Sequence, residues 1–288
     1  MWQQRIKVEA PYDFSRVLER LAQDPLSVVD FKKQQLTVPL YVNDTPVAVF
    51  VRCVGTKQSP VFLVEAQHPE RKEAVLARLL RIFHWDRPLA PIQNHFLQTE
   101  LHEIFRQHEG TPLVLEFDLY FCLIKCIIHQ QLHMKVAYQM TERFVKTFGR
   151  EIDGISFYPR PEDVAKLRYD ELKALQFSGK KAEYIIDTSR LIAEGKLDLE
   201  KLADATDEEV METLLALRGI GPWTVQNFLL FGLGRPNLFP KADIGLQRAV
   251  QKLLALESKP SLEQMDALSK RWEPYLSYAS LYLWRSIE

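Results

Sequence analysis

Leu217-Arg218-Gly219-Ile220-Gly221-Pro222-Trp223-Thr224 is the stretch on which the reading of this chain turns. It sits between two amphipathic helical patterns, 207–217 and 223–233. Two glycines two residues apart permit positive φ and keep side chains out of the way. Pro222 suits the first turn of the following helix, where a missing N–H costs nothing. The product is a concave cluster of backbone N–H groups at a positive helix end, able to receive a phosphate. Gly-x-Gly also suits a plain tight turn between helices with glycine as the cap, and the octet alone leaves both readings open.

Past the second helical pattern comes Phe239-Pro240-Lys241-Ala242-Asp243-Ile244-Gly245-Leu246-Gln247-Arg248. Asp243 lies 20 residues beyond Trp223, where the next helix begins. A carboxylate there can cap the helix by accepting a free amide, or it can face a reacting centre.

A net charge of −1 gives no sign of a polyanionic ligand, but charge is segregated locally. Residues 129–150 carry Lys135, Arg143, Lys146 and Arg150 against Glu142 alone, and residues 218–252 carry five bases against Asp243 alone. Residues 153–216 hold fifteen acids and nine bases, which fits one basic face and an acidic back. No apolar run approaches the about 20 residues that span a bilayer, and Met1–Ala10 lacks the apolar core of a secretory signal. The expectation is a soluble, cytoplasmic protein. Cys53, Cys122 and Cys126 are too few for a disulfide framework. Cys122 and Cys126 share a helix face as small core side chains, without the further thiolates or imidazoles that zinc or an iron–sulfur cluster needs.

The first third reads as mixed strand and helix. Leu36–Val42, Val47–Val54 and Val61–Glu65 are β-branched or aromatic runs, flanked by helical patterns at Phe14–Leu21 and Glu70–Phe83. Trp85–Pro91, with two prolines, reads as a connector. Beyond it the pattern is helical. Phe117–Phe148 is amphipathic with an interruption at His129–His133, and short helices follow at 161–167, 170–175, 180–194, 207–217, 223–233, 243–254 and 262–283. Thr206-Asp207-Glu208-Glu209 is a capping box. The expected architecture is mainly α: an N-terminal α+β lobe over 1–93 and an all-helical body over 94–288, made of two helical subdomains with a cleft between them.

The octet resembles the helix–hairpin–helix of DNA-repair proteins, with Arg218 where proline is common. Hairpin, helix, short Pro-containing loop and helix-opening Asp together resemble the helix–hairpin–helix DNA glycosylase superfamily. The resemblance implies that Asp243 is the essential catalytic group. Breaking an N-glycosidic bond develops oxocarbenium character on the sugar, which a carboxylate stabilises while positioning water. It also implies that Gly219, Ile220, Gly221 and Thr224 contact a DNA phosphate. The carbonyls of Leu215, Leu217 and Ile220 would hold a monovalent cation, sodium or potassium, with no other cofactor required. Members that also cut the backbone place a nucleophilic lysine where this chain has Trp223, so simple hydrolysis is expected.

Four further segments resemble the DNA-3-methyladenine glycosylase II branch: Pro11–Ser15, Ile127-Ile128-His129-Gln130-Gln131 (with His129 in place of glycine), Leu175–Tyr184, and Trp272–Trp284. The branch extrudes the target nucleotide from duplex DNA containing damaged bases. Gln131 matches the wedge that fills the vacated stack, while Trp223 and Trp284 match aromatic pocket walls that favour cationic methylated purines. Asn227 and Ile244 stand where other members carry aromatics, and Arg20 falls where some N-terminal lobes offer one. Tyr275, Tyr278 and Tyr282 are candidates to compensate. The implied partner is DNA, with no membrane and no obligate protein partner. Two alternatives stand beside alkylated-base excision: a same-fold glycosylase for oxidised or deaminated bases, and a non-catalytic damage-binding module, which the presence of Asp243 disfavours.

Overall fold

The computed structural model describes residues 1–287. Its N-terminal part is a five-stranded antiparallel sheet ordered β1-β5-β4-β3-β2, made of β1 (Trp2–Lys7), β2 (Val28–Asp30), β3 (Gln35–Val42), β4 (Thr45–Cys53) and β5 (Val61–Ala66). Alternation sets the register. Val47, Val49 and Val51 of β4 are buried, with Val49 opposite Val38 of β3 and Ala66 of β5. Helices α1 (Phe14–Leu21) and α2 (Lys72–Phe83) cover this face, and Phe14 meets Phe62 and Phe83 edge-on. Each such side chain contributes about 1.5–3 kcal/mol by leaving water. The three inner strands match the sequence reading. It missed β1 and β2, the sheet's two edges, because an edge strand needs little apolar patterning.

The expected connector is instead part of the core. Trp85 stacks on Phe62 at 4.6 Å and on Phe83 at 5.1 Å, and α3 (Leu89–Phe96) begins within it, following Pro88. The boundary expected at 93/94 therefore falls inside a helix. From α4 (His102–Gln107), Phe105 stacks between Phe96 and Tyr282, with ring centroids 3.9 Å apart on each side. The Tyr282 hydroxyl donates to the Thr111 carbonyl at 3.1 Å.

The remainder is helical apart from a hairpin of β6 (Arg150–Ile152) and β7 (Ile155–Phe157). α5 (Leu119–His129) and α6 (Met134–Phe148) are separated at 130–133, as the sequence predicts. Short helices α7 (Pro161–Val164) and α8 (Tyr169–Ala174) pack on α9 (Gly179–Ala193), followed by α10 (Leu199–Ala203) and α11 (Asp207–Leu215). α12 (Pro222–Asn227) runs into a π turn over Phe228–Gly232, then come α13 (Ile244–Leu253), α14 (Leu262–Ser269) and α15 (Leu276–Arg285). The single helix expected at 262–283 is two, because Pro274 supplies no amide to a helical ladder. The Thr206 capping box is present, with Glu209 N–H to Thr206 Oγ1 at 3.2 Å and Thr206 N–H to Glu209 Oε2 at 2.9 Å. The fold is thus mainly α with an N-terminal α+β lobe. No helix of the described residues is long and apolar enough to cross a membrane.

Candidate active site

The hairpin between α11 and α12 is fixed by its backbone. Gly219 has φ +86°, and a Cβ there would lie 2.2 Å from the Tyr184 ring, so only glycine fits. Gly221 is different: its φ is −109°, and an added Cβ would meet nothing within 4 Å. Of the two glycines that permit positive φ, only the first adopts it. Gly221 keeps the mouth of α12 open rather than bending the chain. Ile220 N–H donates to the Leu217 carbonyl at 3.2 Å, and the Ile220 side chain is buried. Thr224, expected at the DNA surface, is 1% exposed. Its hydroxyl receives the Gln130 Nε2 amide at 2.8 Å, and the same amide donates to the Gly219 carbonyl at 2.9 Å. Thr224 therefore braces the hairpin from inside.

Gln130 ends α5. The following Gln131 is exposed, at φ +56°, in the turn before α6. Lys181 from α9 holds this corner by donating to the carbonyls of Ile128 at 2.6 Å and Gln130 at 2.8 Å; burial pulls its pKa down. His129, where the branch pattern has glycine, pairs its Nε2 with Thr141 Oγ1 at 3.0 Å and abuts Tyr138 edge-on. Burial, reinforced by the Lys125 ammonium, pushes His129 down to about 3, so the ring is neutral at ordinary pH.

Asp243 caps α13. Its Oδ1 accepts Leu246 N–H at 2.9 Å and the Trp284 indole Nε1–H at 2.9 Å. Capping and a site role are thus compatible: one oxygen is spoken for twice, and Oδ2 accepts nothing from the described residues. A Cβ on Gly245 would lie 2.9 Å from Asp243 Oδ1 and 3.2 Å from Trp284 Cδ1. The sequence reading passed over Gly245, yet it lets indole and carboxylate meet.

Trp284 packs against Phe231, ring centroids 6.1 Å apart and 30° between planes. Trp223, Asn227 and Phe231 follow at four-residue steps along α12 and the π turn. Asn227 turns its amide back to the Trp223 carbonyl at 2.8 Å. Trp223 is 37% and Ile244 55% exposed. Tyr278 and Tyr282 are core residues, so of the three candidate tyrosines only Tyr275 is not fully buried. Arg20 reaches in from α1, its guanidinium carbon 4.6 Å from the Phe231 centroid and its Nη1 donating to the Val114 carbonyl at 2.6 Å. Behind it, Lys125 pairs with Asp24 at 2.9 Å and Glu116 at 3.1 Å. Burial opposes the Lys125 charge, but these two carboxylates prevail and hold its pKa well above the usual lysine value. Phe231 was missed in the sequence, since it lies in the π turn past Asn227, where α-helical spacing no longer holds. A cavity of about 640 Å³ lies elsewhere, between Tyr41, Tyr120 and Arg160, and includes none of these groups.

A family model described as HhH-GPD superfamily base excision DNA repair protein matches residues 124–274. A Bacillus subtilis (strain 168) protein, provisionally named the DNA-3-methyladenine glycosylase YfjP, is 51% identical over 289 residues, covering 100% of both chains. A second protein of that organism, named DNA-3-methyladenine glycosylase, is 30% identical over 258 residues, covering 87% of this chain and 85% of its own. Among solved structures, a 3-methyladenine DNA-glycosylase from Archaeoglobus fulgidus has the same fold, with TM-score 0.86, 24% identity, and 99% and 97% of the two chains covered.

Proposed function

Because the chain belongs to the HhH-GPD superfamily of base excision DNA repair proteins, we propose that it is a monofunctional DNA glycosylase. It excises alkylated bases such as 3-methyladenine from duplex DNA. The observation that carries this reading is the Asp243 carboxylate, oriented through Oδ1 by Leu246 and Trp284 and with Oδ2 unengaged by the described residues. The names of the two Bacillus subtilis relatives support the substrate class.

In this mechanism the hairpin amides at Gly219–Gly221 grip a phosphate, and Gln131 occupies the stack as the damaged nucleotide rotates out. The base enters between the α12 face carrying Trp223 and Asn227 and the opposite wall of Trp284 and Ile244. Asp243 stabilises positive charge developing on the sugar and positions water for its attack. Trp223 stands where a Schiff-base lysine would be needed for backbone cleavage, so the product is an abasic site with the strand intact. No backbone or side-chain donor among the described residues reaches the carbonyls of Leu215 and Ile220, and Leu217 accepts one bond. Three neutral oxygens of this kind suit sodium or potassium, which would supply positive charge beside the gripped phosphate.

The test is release of free base from methylated duplex DNA by the purified protein, read with strand integrity on a denaturing gel. Release of 3-methyladenine with uncut strands is expected. Failure to release any base, or strand cleavage without added alkali, overturns the assignment.

A further inference from the structure

Resting on the glycosylase reading, the support beneath Gln131 bears on how a nucleotide is extruded. Gln131 carries a side chain yet has φ +56°, a left-handed conformation that costs free energy and persists only where neighbours impose it. The chain reaches it from α5, whose final carbonyls have no partner within the helix. Lys181 supplies that partner from α9. Its Nζ donates to the Ile128 carbonyl at 2.6 Å and to the Gln130 carbonyl at 2.8 Å. The Gln130 carbonyl belongs to the peptide that joins Gln130 to Gln131, so the ammonium holds one side of the rotation that defines φ of Gln131. At its other end Gln130 is tied through its side-chain amide to the Gly219 carbonyl and the Thr224 hydroxyl. With Gln130 fixed at both ends, Gln131 has little freedom. Burial alone acts on the Lys181 charge, and no carboxylate among the described residues pairs with it. A partly buried ammonium without a counter-ion disfavours the folded chain, which sets Lys181 apart from a helix cap kept for stability.

We propose that Lys181 is a positioning residue for nucleotide extrusion: by holding the last carbonyls of α5, it keeps Gln131 in the conformation from which its side chain fills the vacated stack. Lys181 acts through Gln131 and takes no part in cleaving the glycosidic bond, which falls to Asp243.

The test is a double-mutant cycle on single-turnover release of 3-methyladenine from methylated duplex DNA, with protein saturating. It uses wild type, Lys181→Met, Gln131→Ala and the double variant. Lys181→Met is expected to slow release about tenfold, and in the Gln131→Ala background to add less than about twofold, because the group it positions is gone. Lys181→Arg, which keeps donors for both carbonyls, is expected to retain most of the rate. A general loss of packing would instead slow release by the same factor in both backgrounds. Lys181→Gln, a milder change, is carried through the same cycle, so that the result does not depend on the folding of one variant. Equal factors in both backgrounds, or no slowing by either substitution while Gln131 is present, overturn the Lys181 role and leave the glycosylase reading standing. No release of any base by wild type removes both.

Discussion

The hairpin at 217–222 and the wall around Asp243 are built by opposite means. The hairpin is local: one positive-φ glycine, one proline and two flanking helices define it, and its useful groups are backbone amides. The wall is assembled from distant pieces: α1 contributes Arg20, the π turn Phe231, the loop before α13 Asp243, and α15 Trp284. A local backbone device tolerates many side chains but few changes of backbone. A composite wall tolerates backbone adjustment but depends on the identity of each side chain.

That contrast can be broken most forcefully at Asp243. Asp243→Asn keeps an acceptor for Leu246 and Trp284 but loses the negative charge. Base release should fall by about 1,000-fold with DNA affinity near wild type by fluorescence anisotropy. Substantial residual turnover would show that the carboxylate is only a helix cap. On the hairpin side, Gly219→Ala should cost about 2–4 kcal/mol, since it combines positive φ with a clash against Tyr184. Gly221→Ala, which meets open space, should leave the melting temperature within a degree or so of wild type and weaken DNA binding. Equal destabilisation by the two substitutions would refute the division between bend and mouth. Trp284→Phe should lower kcat by about tenfold, because the bond orienting Asp243 is lost while much of the stacking area remains. A change confined to KM would assign Trp284 to binding alone.

The smallest effect is on pH. His129 is held to about 3 when folded, against about 6.5 when unfolded. Between those values the unfolded chain takes up the extra proton. The stability this neutral ring contributes is therefore complete above about pH 6.5 and is lost as pH falls toward 3. His84, buried and likewise pushed down to about 3 by burial and then by Arg87 and Arg81, acts in the same direction. His129→Asn should make the fall in melting temperature between pH 7 and pH 4 shallower by roughly 2–4 °C; an unchanged slope would mean the ring is solvated in solution.

Legibility in the sequence follows the same division. The octet, the capping box at Thr206 and the helix-opening Asp243 are contiguous patterns, and each is where it was expected. Phe231 was hidden because the π turn resets the helical register just past Asn227. Gly245 was hidden because its role is an absence of atoms between two partners from different helices. α3 and α4 are too short for a periodic signal, and Pro91 in α3 argued against a helix although it sits harmlessly in the first turn. Thr224 shows the converse error: a residue in the right stretch was assigned to the surface, but its helix turns it inward onto Gln130.

That Gln130 contact has a mechanical consequence. A single amide group fastens the end of α5 to both the turn and the second helix of the hairpin, and the adjacent residue is Gln131. The part that would hold the backbone and the part that would enter the helix thus share one pin, like the two jaws of a caliper. The span between them is fixed before any nucleic acid arrives. On the proposed function, undamaged DNA would then be sampled without refitting the tool at every base pair.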